Sequence, residues 1–166
     1  AWPHSTGHAV DLSGDALVLA ERNLSSLAPR HHCFLHQGSW WDPLKPWWGS
    51  FDLVVCNPPY IPHPVMAGLD ALVRNHEPHL ALSGGEDGLA CIRAVVAGAT
   101  QALSFGGLLL LEHHHDQSDC VLQLMNKAGL VQISAASDLQ GVKRFAMGRR
   151  CVPSSPSPGV CDVSGA

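Results

Sequence analysis

Two short apolar runs constrain this chain more than any other feature. Phe51-Asp52-Leu53-Val54-Val55-Cys56 and Leu108-Leu109-Leu110-Leu111-Glu112 are too short for packed helices. They are nearly unbroken in hydrophobicity, the pattern of strands buried on both faces rather than of half-exposed strands, which alternate. Between them, Gly84-Gly85-Glu86-Asp87-Gly88 leads into an Ala/Val/Leu-rich helix of about four turns that breaks off before Gly106-Gly107.

The same alternation runs along the rest of the chain. Residues 8–11 read as a strand, after which Ser13 offers an N-cap hydroxyl and Asp15 a favourable charge to a helix through residues 16–22. Residues 33–37 form the next strand candidate, and a Trp-, Pro- and Gly-rich loop joins it to the run at 51–56. Beyond residue 112, a helix over 116–128 closed by Gly129 precedes a strand at 130–133 and a last one around 143–148. Strands alternating with helices predict an α/β fold with a mostly parallel sheet covered on both faces. A length of 166 residues, 46% of them hydrophobic, suits one globular domain. We read residues 1–150 as catalytic-domain material and 151–166, rich in Pro, Ser and Gly, as a disordered tail.

A net charge of −4 gives no cationic surface for generic phosphate binding, so no direct nucleic-acid partner is expected. No run approaches the roughly 18–20 apolar residues that span a bilayer. A cytoplasmic protein with no membrane partner is the expectation. The six cysteines are scattered without zinc-ligand spacing and read as buried free thiols. Of the eleven histidines, the run His113-His114-His115 invites a metal. Consecutive residues on a strand point to alternate faces, however, so no metal site is read there.

In parallel α/β sheets, ligands sit beyond the carboxyl ends of the strands. Asp11 ends the first strand, Trp40 follows the second, and Asn57-Pro58-Pro59-Tyr60 follows the third. A strand-end carboxylate accepts hydrogen bonds from the ribose hydroxyls of an adenosine cofactor, and an aromatic ring packs on its base. The alternatives are that Asp11 caps the loop into the helix and that Trp40 is core.

The tetrapeptide is suited to methylating a planar nitrogen. Pro59 fixes its own φ and pushes Pro58 towards an extended shape, so the loop is stiff before substrate arrives. The Pro58 carbonyl and the Asn57 side-chain oxygen can each accept one hydrogen of an NH2 group, and Tyr60 can lie along the planar group. An amide nitrogen is a poor nucleophile. Alignment against the activated methyl of S-adenosylmethionine must therefore supply much of the acceleration, up to about 7 to 11 kcal/mol, and no general base is needed.

With these residues in view, the chain resembles the release-factor glutamine methyltransferases, which modify the Gln of the Gly-Gly-Gln tip of peptide-chain release factors. The likeness runs from about residue 8 to 150, through Ala9-Val10-Asp11-Leu12-Ser13, Gly38-Ser39-Trp40-Trp41, residues 51–62, Glu77-Pro78 with Ala81-Leu82, Gly84-Gly85 with Asp87-Gly88-Leu89, and residues 106–112. The resemblance implies a Rossmann-like class I methyltransferase fold, S-adenosylmethionine as cofactor and a release factor as protein partner. It implies Asp11 as the ribose ligand, Trp40 against adenine and Asn57 touching both cofactor and substrate, with Asn57 and Pro58 catalytic. Pro58, Pro59 and Tyr60 complete the glutamine pocket.

Ser39 and Ser83 stand where the family usually has Asp. The family's strand order is 3-2-1-4-5-7-6, and its glycine-rich first loop, first strand and helical N-terminal domain are expected to be missing before Ala1. That strand lies between those ending at Asp11 and Cys56. The rival readings are an adenine-N6 nucleic-acid methyltransferase, whose purine amino group presents the same planar NH2, and a truncated non-catalytic remnant.

Overall fold

The computed structural model describes residues 4–27, 33–66, 68 and 78–153. Strands β1 (Gly7–Asp11), β2 (Cys33–Gln37), β3 (Phe51–Cys56), β4 (Leu103–Glu112), β5 (Leu130–Ser137) and β6 (Lys143–Arg150) alternate with helices. The helices are α1 (Gly14–Leu27), α2 (His63–Met66), α3 (His79–Leu82), α4 (Ala90–Ala102) and α5 (Ser118–Lys127), with a 3-10 turn at Asp42–Trp47. Glu77, part of the resemblance, and residues 154–166 of the expected tail lie outside the described residues, as does Cys161.

The core forms where α4 and α5 meet β4. Ile92, Val95, Val96 and Ala99 recur at the spacing of one helical face and are buried against Leu109 and Leu111. Val121 and Met125 of α5, Leu130 and Ala146 close the same cluster. Along β4 the burial alternates, so Leu109 and Leu111 are fully buried while Leu108 and Leu110 are only partly so. The helix closure expected at Gly129 is present: the chain turns there with φ +82°, a conformation only glycine adopts without strain.

The strands pair as two sheets. β1 runs parallel to β2, and the order of the second sheet is β3-β4-β6-β5. β3 and β4 are parallel, whereas β6 is antiparallel to both β4 and β5. The α/β fold expected from the sequence is present, its mostly parallel arrangement made mixed by the reversed strand β6. The last strand returns by the short turn after Ser137 and inserts between β4 and β5, a connection open only to antiparallel neighbours. The break between sheets falls between β1 and β3, where the expected order places its first strand.

Coverage of both faces is also corrected. Val55 is 65% exposed and Leu53 38%, because no described helix lies over that side of β3. In α1, Val18 and Leu19 are exposed as well. The cysteines among the described residues are free thiols, as expected, yet Cys120 and Cys151 are exposed rather than buried.

Trp41 joins the loop after β2 to the core. Its indole N–H donates to the carbonyls of Ala94 and Val95, at 3.2 and 3.0 Å. The ring lies so close to α4 that a Cβ at Gly98 would sit 2.5 Å from the ring atom Cδ1. In the full-length protein, Gly98→Ala is therefore expected to lower the urea midpoint with m unchanged, although Ala is the better helix former by about 1 kcal/mol. In a Trp41→Ala background the same substitution should stabilise. Destabilisation of equal size in both backgrounds would refute the contact.

Candidate functional site

β3 delivers its last residue, Cys56, opposite Leu111 of β4, so the segment after it starts level with Glu112. Asn57 is exposed at this edge, while Pro58 is fully buried and anchors the loop. Burial, and secondarily the neighbouring Cys91, pushes the Cys56 thiol up to about 11, leaving it an inert neutral group directly before the loop.

Tyr60 is gripped at both ends. Its hydroxyl donates to Glu112 Oε1 at 3.1 Å, and its carbonyl accepts from the Gln117 side-chain amide, also at 3.1 Å. Burial first, then the Glu112 carboxylate, raises the Tyr60 pKa, so the phenol stays neutral and able to donate. Gln117 is 7% exposed, and its Oε1 accepts from the His114 backbone N–H at 3.0 Å. One side chain thus ties the turn after β4 to the loop after β3.

A third segment braces the loop from the other side. Ile61 forms an isolated parallel bridge with Ser83. Its N–H donates to the Leu82 carbonyl at 3.0 Å, and its carbonyl accepts from Gly84 N–H at 2.9 Å. At Gly88, φ is +74° and a Cβ would lie 2.4 Å from the Tyr60 carbonyl oxygen. Only glycine fits there, so the stretch 84–88 is a brace for the loop as well as an entry to α4. Ser83, at one of the positions where the family usually has Asp, accepts from Gly85 N–H at 3.4 Å.

Asp11 and Trp40 stand at the ends of the parallel pair β1-β2, at the carboxyl ends of strands like the loop. Asp11 is exposed, and one carboxylate oxygen accepts the Ser13 N–H at 2.8 Å; the loop-capping contact is present and orients the carboxylate. Ser13 caps α1 as expected, its hydroxyl accepting from Ala16 N–H at 3.3 Å. Trp40 is half-buried and packed against the core rather than freely exposed. Its φ of 47° is left-handed, rare and costly for a bulky residue. Ser39 is exposed, its carbonyl accepting from Asp42 N–H at 3.0 Å.

A cavity of ≈ 320 Å³ lined by Thr6, His8, Phe34, Trp47, Ser50 and Phe51 opens at the amino ends of β1, β2 and β3, away from this edge. Sequence reasoning assigned no role to Glu112, Gln117 or Gly88. Gln117 looks like any polar residue before a helix, while the glycine run was visible without showing what it would touch.

No family model matches the chain. The release factor glutamine methyltransferase of Prochlorococcus marinus is 52% identical over 150 residues, covering 90% of this chain and 51% of the relative. That of Caulobacter vibrioides is 39% identical over 155 residues, covering 93% and 53% respectively. The chain spans about half the length of the curated relatives it matches, their C-terminal part. Among solved structures, a methyltransferase from Pyrococcus furiosus aligns with a TM-score of 0.61 at 13% identity, over 89% of this chain and 64% of that one; this likeness is one of fold. The chain has a class I methyltransferase fold, and by its sequence it matches the C-terminal part of curated homologues named release factor glutamine methyltransferase.

Proposed function

We propose that the full-length protein transfers a methyl group from S-adenosylmethionine to the side-chain amide nitrogen of the Gln in the Gly-Gly-Gln motif of a peptide-chain release factor. In this reading residues 1–150 belong to its catalytic domain. The observation that carries the reading is the loop Asn57-Pro58-Pro59-Tyr60, held at the carboxyl end of β3 by Glu112, Gln117 and the 84–88 brace. Among the described residues, no helix is long and apolar enough to cross a membrane.

The loop's work is orientation. The amide lone pair is delocalised into the carbonyl, so two fixed acceptors that hold the nitrogen in line with the incoming methyl contribute much of the acceleration, and the proton shed by the methylated nitrogen passes to water at the exposed Asn57 edge. The Asn57 side-chain oxygen and the Pro58 carbonyl take one N–H hydrogen each. Pro58 is buried and Tyr60 is pinned at both ends, so the acceptors keep their places without reorganising. The neutral Tyr60 ring flanks the planar amide.

S-adenosylmethionine, when bound, supplies the activated methyl on a sulfonium. The residues at the neighbouring strand ends suit it: Asp11 presents an exposed carboxylate already oriented by the Ser13 N–H, fit for ribose hydroxyls. Trp40 offers an aromatic face held by core packing. Asn57, exposed at the head of the loop, is the residue that touches both cofactor and substrate in this reading.

Incubating the full-length protein with the cofactor, a Gly-Gly-Gln-containing release factor and adenine-containing DNA tests the reading. N5-methylglutamine by mass spectrometry is the expected product; methyladenine instead, or no product at all, overturns it.

Three substitutions in that protein separate the roles. Asn57→Ala should depress turnover at least about a hundredfold, near 2.7 kcal/mol, with the fold intact, and Asn57→Asp should retain more activity because it keeps an acceptor. Parent-like single-turnover rates in both would remove Asn57 from the chemistry. Trp40→Ala should raise the cofactor's Kd while turnover at saturation stays comparatively intact. Failure of saturating cofactor to restore the rate would instead assign Trp40 to core packing. Gln117→Leu leaves the Tyr60 carbonyl and His114 N–H unpaired and should cost about 1–3 kcal/mol of stability. It should also lower turnover without moving cofactor Kd. An unchanged rate would show that the clamp on Tyr60 is only structural.

A further inference from the structure

The histidine run after β4 does not continue the strand. β4 ends at Glu112, and residues 114–117 form a turn closed by the Gln117 N–H donating to the His114 carbonyl at 3.0 Å. The alternating faces expected of a strand therefore do not apply. His113 is fully buried and turns away to bond the His114 carbonyl through Nδ1 at 2.7 Å. The next three side chains gather on one side: ligand atoms of His114, His115 and Asp116 all lie within 4.8 Å of one another. His114 Nδ1 is 2.6 Å from Asp116 Oδ1, and the His114 and His115 rings are 4.2 Å apart.

We propose that His114, His115 and Asp116 form a binding site for a borderline divalent transition-metal ion, of the zinc type, beside the Tyr60 loop.

Two imidazoles and one carboxylate are the donor set that such ions prefer; Mg2+ and Ca2+ demand mostly oxygen. Metal–ligand bonds of about 2.0–2.2 Å put tetrahedral donors roughly 3.3 Å apart. Small rotations of these side chains satisfy that spacing, with the ion replacing the hydrogen now shared by His114 Nδ1 and Asp116 Oδ1. His115 and Asp116 are exposed, leaving a coordination position for water.

The backbone beneath is already ordered. The His114 carbonyl is bonded by the His113 ring and the Gln117 N–H, and the His114 N–H by the Gln117 side chain. Little ordering remains for the ion to impose. The same Gln117 amide holds the Tyr60 carbonyl, and the His114 ring lies 6.2 Å from that of Tyr60. An ion here therefore stiffens the turn on which the Tyr60 loop rests.

The test is titration of the full-length, tag-free protein with Zn2+ by calorimetry and with Co2+ by its visible absorption. About one equivalent should bind at micromolar ion, with the intense Co2+ bands of a low-coordinate site, and a large excess of Mg2+ should not compete. His115→Ala and Asp116→Asn should each weaken binding at least about tenfold, and the His114→Ala/His115→Ala pair should abolish it. A second close histidine pair among the described residues, His8 and His36, with ring nitrogens 3.0 Å apart, supplies the control. His8→Ala/His36→Ala should bind as the parent does. No binding by the parent, retention by the His114→Ala/His115→Ala protein, or loss only in the His8→Ala/His36→Ala protein overturns the proposal. None of these readouts depends on methyl transfer.

Discussion

The parallel register of β3 on β4 sets everything at the carboxyl edge. Cys56 faces Leu111, so the chain leaves β3 level with Glu112, and Tyr60, four residues on, reaches that carboxylate. A slip of one residue would turn Leu109 and Leu111 out of the core and Glu112 into it, a change that burial forbids. The same packing of α4 and α5 on β4 that stabilises the domain therefore also aims the loop.

Rigidity in that loop comes from distributed, individually modest bonds. Prolines remove backbone freedom from within, while Glu112, Gln117 and the 84–88 brace act from outside. Net hydrogen bonds contribute about 0.5–1.5 kcal/mol each, comparable with the roughly 0.4–1 kcal/mol that a well-placed proline contributes by limiting the unfolded chain. The titratable neighbours are quiet: the Cys56 thiol and Tyr60 phenol both have raised pKa values, chiefly through burial. Both groups thus stay neutral beside the loop and leave its backbone and amide dipoles to do the positioning.

The other side of the molecule is less settled. Among the described residues β1 and β2 pair only with each other, and the α1 residues Val18 and Leu19 and the β3 residues Leu53 and Val55 leave apolar surface in water. Burying such a side chain is worth about 1.5–3 kcal/mol, so this side contributes less to stability than the α4–β4–α5 core. Trp41 is the exception, carrying the loop after β2 onto α4 through two backbone carbonyls.

Local pattern alone determined the strands Cys33–Gln37 and Phe51–Cys56, the turn at Gly129, the cap at Ser13 and the placement of Asp11 and Asn57-Pro58-Pro59-Tyr60 at strand ends. Each of these depends on residues a few positions apart. The mixed order of the second sheet, the open face of β3 and the half-buried Trp40 were decided by tertiary structure. So were the convergence of His114, His115 and Asp116 and the grip of Glu112 and Gln117 on Tyr60. That grip joins residues 52 and 57 positions apart, a separation over which periodicity and turn chemistry carry no information. A buried Gln and a solvated one look alike in sequence, and only the packed sheet brings a partner within hydrogen-bonding distance.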